Sequence, residues 1–356
     1  MEQPTWHRIH PDFSLDGHSL ALKDLIPFGQ SLLSTNAHER LIGDFLLAWA
    51  SDAPFVEVQT SGSTGIPKTI RLKKQHMVNS ALATGNYFGL KAGDSALLCL
   101  PCNGIAGKMM LVRSMVLGLA LDRVEPSSTP LSGNDRTYDF VAMVPLQLQK
   151  SLPQIGRIGT LIIGGAPLDS QWKEALKAFG TRVHETYGMT ETISHIAVKE
   201  ISPDPSPYFR CLPQVTISLD HRGCLVIDAP GISDRPVVTN DLVELLGENA
   251  FKWLGRHDSI INSGGVKLFP ERIEEKLAPL MAGRFFVAGI PDSALGQKLV
   301  LIVEGKTLDK DRLLQRIQDL GQLSKYEIPK EIHFVEAFEQ TGTQKVHRKR
   351  TLERIF

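Results

Sequence analysis

The sequence predicts an α/β fold in two parts, a large α/β body with a β-rich subdomain and a small α+β C-terminal domain. Short apolar runs alternate with helical patterns over residues 50–190, which is typical of a parallel or mixed sheet covered on both faces. After the proline-rich stretch 203–207 the pattern changes to short strands. It changes again at Arg256, so the predicted domains are residues 1–255 and 256–356.

Apolar periodicity predicts the individual elements in chain order. In the body we expect helices at 41–49, 74–87, 108–119 and 172–178, and strands at 55–58, 96–100, 139–144, 160–163 and 182–184. The β-rich subdomain is predicted to hold strands at 215–219, 224–227 and 242–246. In the C-terminal domain Pro270 opens a helix, because proline is favoured at the first helical position. Strands at 285–290 and 299–304 and a helix at 309–320 complete the prediction.

Composition excludes several classes of protein. The chain has 356 residues, enough for two domains and a large core. Lys+Arg and Asp+Glu are both 39, so no overall charge favours nucleic acid or a membrane surface. No signal-peptide core and no apolar run long enough for a membrane span are evident. With only four cysteines the sequence predicts a cytoplasmic protein without a disulfide framework.

A stretch rich in glycine and hydroxyl residues, 60–69, is predicted to bind phosphate. Glycines allow several backbone N–H groups to point the same way, hydroxyls add donors, and lysine adds a mobile positive charge. The stretch is not a Walker-type loop, because Pro67 stands where that motif requires a glycine. A plain Ser/Gly turn is the alternative for the stretch taken alone. The candidate ligands are Thr60, Ser61, Gly62, Ser63, Thr64, Gly65 and Lys68.

Four further stretches carry residue types suited to a nucleotide. Small residues at 164–166 end a buried strand and let a flat ring approach the backbone. In 187–192 an aromatic ring can stack on a base, a hydroxyl can reach a phosphate, and a carboxylate can hold Mg²⁺. Asp241 could accept hydrogen bonds from two ribose hydroxyls, and the fourth stretch is 255–271. Each motif is weak or moderate alone, but their order and spacing together are specific.

With these motifs, from about residue 60 to residue 348, the chain resembles the adenylate-forming superfamily of acyl- and aryl-CoA synthetases, peptide-synthetase adenylation domains and luciferases. The resemblance implies a mobile C-terminal domain. It also implies that ATP and Mg²⁺ convert a carboxylic acid into an acyl-adenylate, which then reacts with the thiol of coenzyme A.

The same resemblance assigns roles to single residues. It places the 60–68 loop over the β- and γ-phosphates of ATP. The adenine slot would be formed by Gly164, Gly165, Ala166, Tyr187 and Gly188, with the tyrosine stacked on the ring; Thr190 would contact the α-phosphate, Glu191 the Mg²⁺ ion, and Asp241 and Arg256 the ribose. Asp258 would be the hinge, Gly264 and Gly265 would line the coenzyme A tunnel, and Lys345 would bridge the carboxylate and the α-phosphate during adenylation.

A narrower resemblance is to compact o-succinylbenzoate–CoA ligases of menaquinone biosynthesis, carried by residues 107–110, 192–197 and 262–267. It implies o-succinylbenzoate, ATP and coenzyme A as partners, with Lys108, Arg113 and His195 at the acid site. A homodimer is possible. For the two cations the alternative is a pair of helix-surface charges that reach solvent, and for the histidine a hydrogen-bonded structural role.

Three other functions stay open at the level of sequence. The first is a ligase of the same fold that acts on another aromatic or medium-chain acid. The second is a non-catalytic nucleotide-binding protein, which the presence of Lys68, Glu191, Asp241, Arg256 and Lys345 argues against. The third is a nucleic-acid-binding arm at the basic C-terminus, which the neutral charge balance disfavours.

Overall fold

The computed structural model describes residues 4–60, 68–133, 135–168, 172–281, 283–305, 309–340 and 346–356. The helices in these ranges are α1 Leu25–Leu32, α2 Ala37–Ala50, α3 Lys74–Phe88, α4 Ile105–Leu117, α5 Pro145–Ser151, α6 Trp172–Leu176, α7 Pro270–Leu277, α8 Lys310–Asp319 and α9 Arg348–Glu353. The strands of the first half are β1 Ser14–Leu15, β2 His18–Ser19, β3 Phe55–Thr60, β4 Lys68–Lys73, β5 Ser95–Leu98, β6 Ala120–Arg123, β7 Tyr138–Met143, β8 Ile158–Ile163 and β9 Arg182–Gly188. Those of the second half are β10 His195–Ser202, β11 Phe209–Cys211, β12 Thr216–Leu219, β13 Cys224–Asp228, β14 Val237–Leu245, β15 Ala250–Arg256, β16 Ile261–Ser263, β17 Val266–Leu268, β18 Phe285–Asp292, β19 Gly296–Glu304 and β20 Glu331–Val335.

A large mixed sheet organises the body. Its strand order is β12-β13-β14-β15-β11-β10-β9-β8-β7-β5-β6-β1-β2. The strands from β9 through β8, β7, β5 and β6 to β1 are parallel, as the alternation of short apolar runs with helices predicted. The strands from β9 to β12 pair antiparallel. The β-rich subdomain is therefore hydrogen-bonded into the same sheet as the α/β body.

The parallel strands are buried on both faces, which explains why their sequences are continuous apolar runs. Ala96 and Leu98 of β5 belong to one apolar cluster, with α3 and α4. Leu97 and Cys99 belong to a second cluster, with α5 and α6. Successive side chains of a strand point to opposite faces, so helices cover both faces of this half of the sheet.

A second sheet follows after residue 260, in the order β17-β16-β19-β18 with β20 beside β19. Its apolar clusters again lie on two faces, one against α7 and α8 and the other against Phe338 and α9. Strand β15 ends at Arg256, and a single turn of 3-10 helix, His257–Ser259, joins the two sheets. The predicted boundary falls at this junction, while movement of the C-terminal domain stays a prediction.

The α/β fold class is confirmed, and most predicted elements lie within a few residues of their expected positions. Strand β4 was not predicted; it pairs antiparallel with β3 in a separate two-stranded sheet. The basic end of the chain forms α9, whose Leu352 packs on the second sheet. Within the part of the chain that the structure describes, no helix combines the length and apolar character needed to cross a bilayer. The cytoplasmic location and the homodimer stay predictions.

Candidate nucleotide and acid site

Two residues predicted to hold the nucleotide are in direct contact. Tyr187, at the end of β9, donates its hydroxyl hydrogen to Asp241 Oδ2 at 2.6 Å. The second carboxylate oxygen of Asp241 accepts from Trp253 Nε1 at 3.2 Å, and Thr239 Oγ1 accepts from the Asp241 backbone N–H at 3.0 Å. Asp241 is 8% exposed. Neutral donors therefore fix both oxygens of a buried carboxylate before any ribose hydroxyl arrives.

Packing and hydrogen bonding together fix the orientation of the Tyr187 ring. The ring meets Phe251 edge-on, with centroids 5.1 Å apart, and lies 5.8 Å from Phe209. Burial, reinforced by Asp241, raises the pKa of the Tyr187 phenol well above its usual range. The hydroxyl is therefore protonated at neutral pH and acts as a donor. A ring held in this way is a preorganised platform for a flat base.

The predicted ribose arginine and the predicted hinge residue form one ion pair. Arg256 Nε and Nη2 donate to the two carboxylate oxygens of Asp258, both at 2.9 Å. This contact lowers the pKa of Asp258 and raises that of Arg256. Arg256 is also the direct cross-strand neighbour of Asp241 in the β14–β15 pairing. Arg256 thus lies next to Asp241 across the strands, and its ion pair is with Asp258.

Glycine is required at two positions of the predicted adenine slot because the backbone is crowded. A Cβ on Gly164 would lie 2.6 Å from Thr186 Oγ1, and one on Gly188 would lie 2.3 Å from the Ser194 carbonyl oxygen. Both distances are shorter than Cβ contacts in real structures. Gly165 has φ +86°, a conformation that side chains rarely adopt, and Ala166 is exposed. Contacts within the protein therefore require these glycines, and their role in an adenine slot stays a prediction.

The predicted phosphate and metal residues lie on a 3-10 turn, Thr190–Thr192. Glu191 is exposed and lines a cavity of about 340 Å³ with β4, His76 and residues 232–237. Asp234 lines the same cavity and accepts from Lys73 Nζ at 2.7 Å. A carboxylate beside such a cavity fits Mg²⁺, which keeps several waters and takes other ligands from substrate phosphates. The predicted metal role of Glu191 stays a prediction.

A strained turn follows directly. Ser194 donates its backbone N–H to the Thr192 carbonyl at 2.6 Å, and the residue between them, Ile193, has φ 64° and ψ −56°. These angles define a γ-turn of the rare form, which is strained and unusual for a β-branched residue. Ile193 is 1% exposed, so apolar packing holds the turn in place. Strain of this kind concentrates at functional sites.

On the other side of this turn, Arg113 is buried without an acidic partner. It lies on α4 and is 2% exposed. Its Nη2 donates to Ser194 Oγ and lies 3.4 Å from His195 Nδ1, and its Nε is 3.3 Å from Thr84 Oγ1. Among the described residues no carboxylate forms an ion pair with it. The alternative of a helix-surface charge is therefore wrong for Arg113.

Burial and the neighbouring cation determine the protonation of this cluster. Burial lowers the pKa of Arg113 to about 10, so the guanidinium stays charged at neutral pH. Burial, and then Arg113, lowers the pKa of His195 well below its usual range. Because Arg113 can only donate, His195 Nδ1 is the acceptor and the proton of the neutral ring is on Nε2. Within the described residues that Nε2 is buried and has no hydrogen-bond partner.

The third predicted acid-site residue, Lys108, is not part of this cluster. Its ammonium donates to the Cys102 carbonyl and lies 5.5 Å above the ring of Phe45. The structure thus brings Arg113 and His195 together and places Lys108 on other partners.

The remaining predicted residues divide into described and undescribed positions. Gly264 and Gly265, with φ +57° and +80°, form a two-residue hairpin turn between β16 and β17. Their role in binding coenzyme A stays a prediction. Ser61, Gly62, Ser63, Thr64, Gly65 and Lys345 lie outside the described residues, and for Thr60 and Lys68 only the backbone is described, as the paired ends of β3 and β4.

Sequence analysis missed three residues of the site. Trp253 reaches Asp241 only through the antiparallel register of β14 and β15, which the sequence does not reveal. Thr84 comes from α3, and its contact with Arg113 depends on helix packing. Ser194 had a signal, because it lies directly beside His195 in the predicted stretch 192–197.

Comparison with known proteins gives the family. A sequence profile described as AMP-binding enzyme matches residues 48–236, slightly more than half of the chain. A solved structure described as an acyl-CoA synthetase (AMP-forming)/AMP-acid ligase II-like protein from Dyadobacter fermentans is 38% identical. The alignment covers 93% of this chain and 98% of that one, with a TM-score of 0.61.

More distant relatives share the same fold. A 2-succinylbenzoate–CoA ligase from a Geobacillus species is 28% identical over 81% of this chain and 66% of its own length, so the chain spans about two thirds of that relative. The o-succinylbenzoate coenzyme A synthetase MenE of Bacillus subtilis, solved with ATP and magnesium, is 22% identical with a TM-score of 0.73. The alignment covers 83% of this chain and 69% of the MenE chain. With the profile match over half its length and the 38% identical relative, this chain belongs to the AMP-binding enzymes of the adenylate-forming superfamily.

Proposed function

We propose that the protein is an ATP-dependent acid–CoA ligase that forms an acyl-adenylate and then a CoA thioester, with o-succinylbenzoate as the acid. Family membership supports the adenylate-forming reaction. The relatives called 2-succinylbenzoate–CoA ligase support this acid, although their identity of 25–28% leaves it a proposal. Under this proposal the first bond forms between a carboxylate oxygen and the α-phosphorus, and pyrophosphate leaves. The second forms between the coenzyme A sulfur and the acyl carbon, and AMP leaves.

The observation that carries the choice of acid is the buried Arg113. An isolated buried charge is costly, and removing it from water costs several kcal/mol unless an opposite charge or hydrogen bonds compensate. Among the described residues, the groups that contact Arg113 are all neutral: Thr84, Met110, Ser194 and His195. o-Succinylbenzoate keeps a ring carboxylate after its other carboxylate has reacted. That carboxylate could supply the missing negative charge.

The nucleotide side of the proposal uses the network of Tyr187 and Asp241. The tyrosine ring would stack on adenine, while Asp241 and Arg256 would hold the ribose. Mg²⁺ at Glu191 would neutralise charge on the departing phosphates. Lys345 would stabilise the transferring α-phosphate, and we propose that residues 256–356 rotate about Asp258 to remove it before coenzyme A reacts.

Pyrophosphate release tests the proposal with a matched pair of acids. One acid is o-succinylbenzoate, and the other is 4-oxo-4-phenylbutanoate, which lacks only the ring carboxylate. We expect AMP and a CoA thioester from o-succinylbenzoate, and a kcat/KM about 10²-fold lower for the analogue, as for the loss of a buried charge pair. Release of ADP instead of AMP would contradict the adenylate mechanism.

The same assay distinguishes the proposed function from its alternative. A ligase of the same fold for another aromatic or medium-chain acid would treat the two acids alike and prefer a different member of a wider panel. Assays with and without coenzyme A show whether the acyl-adenylate is passed to this thiol. A protein that binds ATP but releases no pyrophosphate with any acid would be a nucleotide-binding protein without this activity.

A further inference from the structure

The described residues on either side of segment 341–345 are fixed to each other. Gln340 and Val346 form an antiparallel bridge, and His347 donates its backbone N–H to the Glu339 carbonyl at 2.7 Å. The Glu339 carboxylate also accepts from Arg354, the residue that follows α9. The segment that contains Lys345 therefore starts and ends at one point on the C-terminal domain.

A half-buried ion pair between Arg348 and Glu274 connects the residues after Val346 to the rest of the C-terminal domain. Arg348 Nη2, on the first residue of α9, donates to Glu274 Oε2 at 2.8 Å. The other oxygen, Glu274 Oε1, accepts from the Val287 backbone N–H of β18 at 2.9 Å. The Arg348 guanidinium also lies 5.5 Å from the centre of the Phe286 ring. One carboxylate on α7 thus links the start of α9 to strand β18 of the second sheet.

The geometry of the Glu274–Arg348 pair matters because Lys345 lies three residues before Arg348 in the chain. A lysine side chain is flexible, so its ammonium is placed only as well as the backbone that carries it. A misplacement of 1 Å in a catalytic group can cost on the order of 10²-fold in rate. The Glu274–Arg348 pair removes one source of such displacement, because it fixes the backbone just beyond Val346.

We propose that Glu274 and Arg348 are positioning residues for Lys345 in the adenylation step. The inference rests on the proposed function, in which Lys345 contacts the α-phosphate. Neither residue touches the substrates in this proposal; both act by fixing the base of the segment that carries the lysine. Thioester formation does not use Lys345, so it should not depend on this pair.

The alternative is an ion pair that only stabilises the C-terminal domain, and the chain offers a matched control for it. Lys276, also on α7, donates to both carboxylate oxygens of Glu327 at 2.8 and 2.9 Å. This pair is buried to a similar degree, with side-chain exposures of 26% and 20% against 39% and 16% for Arg348 and Glu274. Within the described residues, no hydrogen bond or ion pair links it to 339–340 or 346–348.

The test compares Glu274→Gln and Arg348→Lys with the control Glu327→Gln in two single-turnover assays. One assay measures pyrophosphate release from ATP with o-succinylbenzoate, and the other measures thioester formation from supplied acyl-adenylate. We expect Glu274→Gln to slow pyrophosphate release by on the order of 10-fold, with thioester formation changed by less than about 3-fold. Arg348→Lys, which keeps the charge, should slow pyrophosphate release less than Glu274→Gln does. The control Glu327→Gln should leave both steps unchanged.

A double-mutant cycle shows whether the effect passes through the lysine. In a Lys345→Ala background Glu274→Gln should slow adenylation no further. Equal losses in both half-reactions, or an undiminished loss in the Lys345→Ala background, would overturn the inference. If Glu274→Gln behaves like Glu327→Gln in an active enzyme, the inference is wrong and the proposed function stands. A wild-type protein that releases no pyrophosphate overturns the proposed function, and this inference with it.

Discussion

The two sides of the candidate site handle charge in opposite ways. On the nucleotide side the buried Asp241 accepts from Tyr187 and Trp253 and has Arg256 as its cross-strand neighbour, and Arg256 pairs with Asp258. On the acid side the buried Arg113 contacts only neutral groups among the described residues. The buried carboxylate thus has a residue of opposite charge beside it, whereas the described residues give the buried guanidinium no carboxylate partner. The difference shows where an anionic substrate could lower the electrostatic free energy of the protein, namely at the Arg113 guanidinium.

The largest expected effect comes from removing the uncompensated charge. Arg113→Met should lower kcat/KM for o-succinylbenzoate about 10²-fold, because the acid loses a buried charge partner. The KM for ATP should change by less than about 3-fold. The free energy of unfolding should stay equal or rise, since an apolar side chain of similar length replaces a costly buried charge.

Arg113→Lys is the matched control for this prediction. It keeps the positive charge and loses the planar fork, so its acid kcat/KM should lie between those of the wild type and Arg113→Met. Acid kinetics that both variants leave unchanged would show that the acid binds elsewhere.

A pH experiment sharpens the comparison through the histidine next to the acid side. His184 packs edge-on against Phe88, 5.1 Å between ring centres, and burial lowers its pKa to about 4. The folded pKa is below the unfolded value of about 6.5, so protonation of His184 favours the unfolded state. The stability that depends on a neutral His184 is therefore complete above pH 6.5 and is lost as pH falls toward 4. Between pH 6.5 and 5 the loss should be about 2 kcal/mol in the free energy of unfolding.

Denaturant unfolding of the wild type and of His184→Gln across this pH range measures the loss. The variant should show the smaller pH dependence, and His195, which is neutral for the same reason, should account for part of what remains. Parallel curves for the two proteins would mean that His184 does not titrate between folded and unfolded states in this range.

On the nucleotide side, Asp241→Asn should weaken ATP binding by about 10-fold, the value of a hydrogen bond to a charged group. The amide nitrogen would face a donor, either Tyr187 or Trp253, and the carboxylate charge near the ribose would be lost. Calorimetric titration with ATP measures the dissociation constant. Affinity for the acid, measured by its KM, should not change; a parallel loss would mean that the two sides are not separate.

The smallest expected effect is that of Tyr187→Phe. The variant keeps the ring for stacking and removes one of two donors to Asp241, which should cost about 1 kcal/mol in the free energy of unfolding. ATP affinity should fall less than about 3-fold, because Trp253 still fixes the other oxygen. A loss as large as that of Asp241→Asn would show that the hydroxyl itself contacts the nucleotide.

Sequence information was sufficient for the parallel half of the large sheet, where burial on both faces leaves continuous apolar runs such as 160–163. It was also sufficient for the order of the motifs, since each is local in the chain. Contacts that depend on register or packing were out of reach. The resemblance placed Arg113 and His195 at one site, but the direct contact between these residues, 82 positions apart, depends on how α4 packs against the start of β10. Strand β4 was missed because Ile70 and Leu72 directly follow the stretch 60–69, which was interpreted as a phosphate loop.

The γ-turn at Ile193 has a practical consequence for engineering acid specificity. Only two residues separate Glu191, on the phosphate side, from Ser194, which contacts Arg113. Gly188 lies against the Ser194 carbonyl with no room for a Cβ, so this backbone has little freedom to accept new side chains. Libraries that aim at new acids are better placed at Thr84 and Met110, which approach the same guanidinium from helices α3 and α4 and leave the turn intact.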